Sequence, residues 1–329
     1  MPNRIVLLVT SPRLPAGLLT ATAWDLLRAS PVLAEAETEL TAAVRGTGVT
    51  VHIGPGSADE LLAAATTHGT AVWLAGPAGD PELARELGLR LAREPGLAEL
   101  ELVYGSWDPP GARLLDAVAV IDRLVSPGGD PWKRSQTHAS LAQYMLEEAY
   151  EAYDAIEAGD LAALREEIGD VLLQVLLHAR LAEELPEDQR WTIDDVAADF
   201  VAKMVRRNPH VFAGADVADV DEIVENWERI KRDEKARESA LDGIALAQPA
   251  LALAAKLLAR AERAGLPVSP PAAPAAVDTS DAGALGAALL GIVAAARAAG
   301  VDAEAALRRA TLAHAEVIRA AEGPATRAT

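Results

Sequence analysis

The chain has 329 residues, half of them hydrophobic but only 4% aromatic, with a formal charge of −19 and no cysteine. That length allows two or three domains, and a core built mostly from Ala, Leu and Val favours helices over sheets. The charge argues against a nucleic-acid polymer as partner, and the missing thiols exclude a disulfide scaffold and thiolate metal sites while suiting a reducing cytoplasm.

The opening stretch MPNRIVLLVTSPRLPAG has a short apolar run but neither the longer hydrophobic region nor the small-residue cleavage pattern of a signal peptide, so it reads as a strand. No run approaches the ~20 apolar residues of a membrane helix, so a soluble, cytoplasmic protein without a membrane partner is expected. Over residues 1–111, RIVLLVT, GVTVHIG, TAVWLAG and LAELELVYG read as strands. TATAWDLLRAS, SADELLAAATTHG and DPELARELGLRLARE read as helices between them. This alternation predicts an α/β region with a mostly parallel sheet.

From 112 to 266 the β signal gives way to helical periods. GARLLDAVAVIDRLVSP ends in a Pro-Gly-Gly turn, and two long helices follow, divided at Gly159-Asp160 and closed by Pro186. TIDDVAADFVAKMVRRNP starts on Thr192 as N-cap and stops before Pro209. A charged helix, ADVDEIVENWERIKRDEKARES, and an apolar one, PALALAAKLLARAERAG, complete the region. Residues 267–281 read as a Pro/Ala-rich linker, and 282–329 as two further helices. The fold class is therefore mixed, an α/β region followed by an all-α bundle. Within the bundle, EIGDVLLQVLLHAR (Glu167 to Arg180) aligns without gaps on ALGAALLGIVAAAR (Ala284 to Arg297), with Glu167 and Asp170 opposite Ala284 and Ala287. If the unit is duplicated, the second copy has kept its packing face and lost its charges.

The stretch LEEAYEAYDAIEAGDLAALREEIGD, Leu146 to Asp170, holds nine acids and one base, Arg165. Glu148 and Glu151 share a helix face, with Glu147 also reaching Glu151, and Glu167 and Asp170 form a second pair. Glu151 lies eight residues before Gly159 and Glu167 seven after Asp160, while Glu148 lies eleven before and Asp170 ten after. An antiparallel hairpin therefore sets Glu151 opposite Glu167 and Glu148 opposite Asp170. One Glu pair alone reads as a solvated face. Two pairs in mirror register make a patch that repels itself unless a hard divalent cation such as Mg²⁺ is held there.

EEAYE followed by EEIGD resembles the EExxE…ExxD signature of MazG-type nucleoside triphosphate pyrophosphohydrolases. PWKRSQTHASLAQYMLEEAYEAYDAIEAGD, LREEIGDVLLQVLLHARLAEE, KMVRRNPHVF and NWERIKRDEK resemble family blocks in family order, across residues 112–266. The resemblance implies a dimerising helical bundle that uses Mg²⁺, with Mn²⁺ as a substitute, and cleaves NTPs to NMP and pyrophosphate. It implies metal ligands at Glu148, Glu151, Glu167 and Asp170, with Glu147 as an added ligand or water-orienting base.

Cleavage at the α-phosphorus calls for an activated water and for cations on the leaving pyrophosphate. Lys203, Arg206 and Arg207 match the family's phosphate-binding block, although basic residues near a helix C-terminus also complement its dipole. Trp227 and Lys231, four residues apart, suit a base and a phosphate, or simple packing. His138, His178 and His210 read as structural. GGDPWK stands where many relatives have Gly-Cys-Pro-Trp-Asp, and RRNPH replaces Arg-Arg-His-Pro-His, which bears on substrate choice. The closing helices, 282–329, resemble a second MazG unit that lacks the ligands and should be catalytically silent.

Residues 1–111 faintly resemble a truncated tetrapyrrole methylase through IVLLVT, GLLTATAWDLLRASPVLA and AGDPEL. SPRLPAG replaces the glycine-rich loop, so a non-catalytic scaffold is expected there. The leading expectation is a Mg²⁺-dependent NTP pyrophosphohydrolase with one active unit, and a role in nucleotide-pool housecleaning is an inference from that chemistry alone. The alternatives are an inactive helical dimer that binds nucleotides or a protein, and a methyltransferase in the N-terminal half.

Overall fold

The computed structural model describes residues 3–76, 79–214, 219–234, 239–267, 269–273 and 277–322, in two compact units, Met1–Asp199 and Phe200–Thr329. The first unit begins with five strands and four helices in alternation: β1 (Arg4–Val9), α1 (Ala21–Ala29), β2 (Val32–Ala34), α2 (Glu39–Gly46), β3 (Val51–Ile53), α3 (Ala58–His68), β4 (Thr70–Leu74), α4 (Pro81–Arg93) and β5 (Glu99–Tyr104). Every pairing is parallel, in the order β3-β2-β4-β1-β5. From Ile5 to Val9 strand β1 is apolar, because both faces are covered. Val6 and Leu8 pack with Ala23 and Leu27 of α1 and Val44 of α2, while Ile5 and Leu7 pack with Leu61 of α3 and Leu87 of α4. The helices start where the sequence supplies caps: Thr20 accepts from the Ala23 amide, and Ser57 and Glu60 form a reciprocal capping box. The sequence pattern gives no sign of β2 or α2.

The same unit continues through α5 (Arg113–Val125), the short α6 (Pro131–Arg134), α7 (His138–Ala158) and α8 (Leu161–Ala182). Ile121 and Val125 of α5, Leu141 of α7, and Leu176 and Leu177 of α8 form its third core cluster. Helix α9 (Ile193–Arg207) runs across the division between the units, opened by Thr192, whose hydroxyl accepts from the Asp195 amide as expected. The second unit adds α10 (Pro209–Phe212), α11 (Val220–Asp233), α12 (Ala250–Arg263), α13 (Ala282–Ala298) and α14 (Ala303–Glu322), the last two bent by 107°. Part of the linker packs closely on α13: a Cβ at Gly291 would lie 2.8 Å from the carbonyl oxygens of Pro271 and Ala272.

The architecture is the mixed one the sequence implies. All-α describes the helical region alone, since the N-terminal sheet makes the whole chain α/β plus helices. The boundaries at 112, 267 and 282 follow sequence pattern rather than this division, and as domain limits they stand as proposals. No single described helix is long and apolar enough to cross a membrane.

Candidate metal centre

The register of the α7–α8 hairpin is set at two adjacent residues. Gly159 ends α7 in the left-handed conformation (φ 69°), which glycine adopts without a Cβ penalty. Asp160 then starts α8, its carboxylate accepting from the amides of Ala162 (3.0 Å) and Ala163 (3.1 Å). With one helix ending where the next begins, equal counts outward from the turn bring residues face to face.

Glu148, Glu151 and Glu167 each present a carboxylate oxygen to one cluster, all within 4.8 Å of one another. Glu148 and Glu167 are half-buried and Glu151 is exposed. Desolvation pushes the Glu148 carboxyl above its ordinary range, and the charges of Asp170, Glu151 and Glu147 push it further. Glu167 is raised by desolvation and then by Glu151, Asp170 and Glu166. Asp170 thus acts on both by charge while lying outside the tightest triad. None of these acids is in an ion pair with a base among the described residues. An all-oxygen donor set with uncompensated negative charge fits a hard divalent cation.

Further along α8, Gln174 and His178 stand four and eight residues after Asp170, on the same helix face. The Nδ1 atoms of His178 and His138 lie 2.7 Å apart, with their rings stacked, and His138 also stacks on Trp191. Burial and then the neighbouring imidazole hold His178 below the ordinary histidine value. Gln174 Oε1 and His178 Nε2 are buried without a hydrogen-bond partner among the described residues. Both histidines are packed as the structural groups the sequence suggests. The polar run toward the acids was not read from the sequence, although the four-residue spacing carries it.

In the second unit the basic residues of α9 are engaged. Arg206 donates to Glu234 (2.6 Å) and Arg207 donates to both of its oxygens (3.1 and 3.3 Å from Nε). The Arg207 guanidinium also lies 5.3 Å from the centroid of the Trp227 ring, and Lys203 sits 5.8 Å from that of Phe200. Arg207 and then Arg206 pull the Glu234 carboxyl down to about 2. Three of the residues expected to meet phosphate or base thus meet one another, around an acid that sequence reasoning did not single out. Its spacing, seven residues after Trp227 and three after Lys231, places it on their helix face.

Comparison with known proteins places this site in context. The MazG nucleotide pyrophosphohydrolase domain matches residues 136–212. An uncharacterised 26.1 kDa protein of Streptomyces cacaoi is 50% identical over 229 residues, 69% of this chain and 90% of its own length. A nucleoside triphosphate pyrophosphohydrolase of Mycolicibacterium smegmatis is 52% identical over 161 residues, 48% of either chain. One from Escherichia coli K12 is 41% identical over 152 residues, 45% of this chain and 57% of its own. The chain thus spans about half the length of these named pyrophosphohydrolases.

Proposed function

The chain belongs to the MazG family, and on that premise we propose that it is a nucleoside triphosphate pyrophosphohydrolase, converting an NTP or dNTP and water to the monophosphate and pyrophosphate. The bond broken joins the α-phosphorus to its bridging oxygen. The observation that supports this best is the triad of Glu148, Glu151 and Glu167 within 4.8 Å, none of them paired with a basic side chain among the described residues. Binding a nucleotide alone is poorly served by such a cluster, because phosphates and carboxylates repel.

Glu148, Glu151 and Glu167 would hold Mg²⁺, with Asp170 supporting from the next turn of α8. When bound, Mg²⁺, or Mn²⁺ in its place, supplies charge stabilisation at the phosphate and lowers the pKa of a water. Glu147, exposed beside Glu148, orients the attacking water and takes its proton. Lys203, Arg206, Arg207 and Lys231 neutralise the phosphates, and Trp227 stacks on the base. For Arg206 and Arg207 that role requires exchanging Glu234 for phosphate oxygens. The active form is proposed to be a homodimer in the cytoplasm, acting in nucleotide-pool housecleaning. Residues 1–111 and 282–329 take no part in the chemistry.

The test is chromatographic product analysis of a panel of NTPs and dNTPs incubated with purified protein, with and without Mg²⁺. Metal-dependent monophosphate plus pyrophosphate is expected. Diphosphate plus phosphate would contradict cleavage at the α–β bond. No turnover of any nucleotide by folded protein would favour a nucleotide-binding or protein-interaction dimer.

A further inference from the structure

The N-terminal sheet has a feature that the hydrolase reading does not use. In the order β3-β2-β4-β1-β5, the chain leaves β1 and β2 toward helices α1 and α2, which pack on one face of the sheet. It leaves β3 and β4 toward α3 and α4, which pack on the other. Strand β4 lies between β1 and β2, so at the carboxyl ends of these three neighbours the outgoing loops part to opposite sides. Open parallel sheets place their ligand crevices where connections diverge in this way. A cavity of about 360 Å³ opens there, bounded by the loop after β1, the β2–α2 turn and the end of β4. Its size lies within the range of small-molecule sites.

Its chemistry narrows the ligand. The walls are mostly apolar, with Leu14, Leu18 and Leu19 from the loop and Leu74 from β4. Among the described residues, no Lys, Arg or His lines it. The nearest candidate in the loop, Arg13, is committed to Asp108 and Asp116. Nor does the backbone offer an anion cradle. Pro12 and Pro15 remove two amide donors from the loop. At the start of α2 the Thr41 amide is taken by Thr38, and Glu39 occupies the first turn, offsetting the positive end of the dipole. Two acidic residues are on the lining, Glu35 and Glu39, both exposed and neither in an ion pair among the described residues, whereas Glu37 between them is paired with Arg45.

We propose that this cavity binds a small organic cation with an apolar body, such as an aromatic or aliphatic amine, its charge at Glu35 and Glu39 and its body against the leucines of the loop. The site shares no residue with the acidic hairpin. Phosphate-bearing ligands are disfavoured because both free charges on the lining are negative.

Three probes of nearly equal shape test this on the full chain: tryptamine (cation), indole-3-ethanol (neutral) and indole-3-propionate (anion), followed by calorimetry and saturation-transfer NMR. Tryptamine should bind tightest, by about tenfold over the alcohol, the order expected for attraction to carboxylates in a partly aqueous setting. The anion should bind weakest, and added salt should reduce the advantage of the amine. The Glu35→Gln/Glu39→Gln double variant should bring amine and alcohol level, and Ala36→Trp at the exposed rim should abolish binding of both, each variant keeping the wild-type melting temperature. The proposal is overturned if none of the three binds, if the anion binds as tightly as the amine, or if the double variant keeps the preference for the amine.

Discussion

Helices α8 and α13 match without a gap from Glu167/Ala284 to Arg180/Arg297, and the positions of Gln174/Gly291 and Leu176/Val293 are buried in both. The apolar registers therefore coincide. What differs is one face. Glu167, Asp170, Gln174 and His178 on α8 stand opposite Ala284, Ala287, Gly291 and Ala295 on α13. Since α13 forms and packs without any of those polar groups, they are not what the helix needs to fold. On α8 they also carry penalties, in mutual carboxylate repulsion at Glu148 and Glu167 and in two buried polar atoms without partners. Carboxylates that oppose folding and are absent from the matching helix are best explained by a task, and holding a cation is the task that the geometry of Glu167 with Glu148 and Glu151 suits.

The comparison breaks or holds most clearly if α8 is rewritten as α13. The double variant Glu167→Ala/Asp170→Ala should lose at least ~10³-fold in pyrophosphate release, the scale for removing a group that stabilises transition-state charge. Its helicity by circular dichroism should match the parent. Its melting temperature without metal should be equal or higher, because repulsion has been removed. Retained turnover would sink the site assignment, whereas lost helicity would mean that the acids are structural after all.

The reverse exchange has the next largest effect. Gly291→Gln places on α13 the residue that α8 buries, but its Cβ would stand 2.8 Å from two linker carbonyl oxygens. Overpacking of this kind costs about 1–3 kcal/mol, to be read in urea unfolding of the full chain. A neutral result would show that the linker yields, and that Gly291 reflects descent rather than packing.

How much of this was legible in the sequence depended on the length of the signal. Helices α7 and α8 span 21 and 22 residues, and their turn is punctuated by Gly159 and Asp160, so period and register could both be counted. Strand β2 has three residues, of which Val32 and Ala34 are buried, and three residues cannot display an alternation. Helix α2 has eight, and its capping box pairs Thr38 with Thr41 rather than with the Glu or Gln that marks the motif. At the acidic hairpin the spacing sufficed to anticipate that Glu148, Glu151 and Glu167 come together, though not that Asp170 lies outside the tightest group. The pairing of Arg206 and Arg207 with Glu234 was not legible, because it joins residues 27 and 28 positions apart through a turn of the chain that no local period encodes.

That pairing sharpens the comparison from the other side, as an acid that is fully compensated. Two guanidiniums hold Glu234 near 2, well below its ordinary 4.5. A carboxyl depressed by folding adds stability that is present above the unfolded value and lost as pH falls through the folded one. Glu234→Gln should therefore lower the melting temperature at pH 7, by an amount that shrinks between about pH 4.5 and pH 2. If Arg206 and Arg207 also serve as phosphate contacts, the same variant should lower KM for the triphosphate, because it frees them. A pH-independent loss of stability would mean that the carboxyl acts through shape rather than charge.

The smallest effect lies at the last matched pair. Arg180 and Arg297 both sit in the final turn of their helices, where a cation complements the dipole. Arg180 meets Asp122 of α5 and Glu184, with 17% of its side chain exposed, and those acids raise its pKa. Among the described residues Arg297 meets Glu262 alone, and it is 35% exposed. Exposed ion pairs contribute about 0–1 kcal/mol, and networks with a more sheltered member reach the top of that range. Arg297→Ala should thus lie near the bottom of it, and Arg180→Ala near the top, with the larger sensitivity to salt at the more exposed Arg297. Equal losses at the two positions would mean that the helix dipole, which both arginines share, carries the effect. An excess at Arg180 that disappears in an Asp122→Asn background would assign the difference to the bridge between α5 and α8, and so to the packing beneath the acidic hairpin.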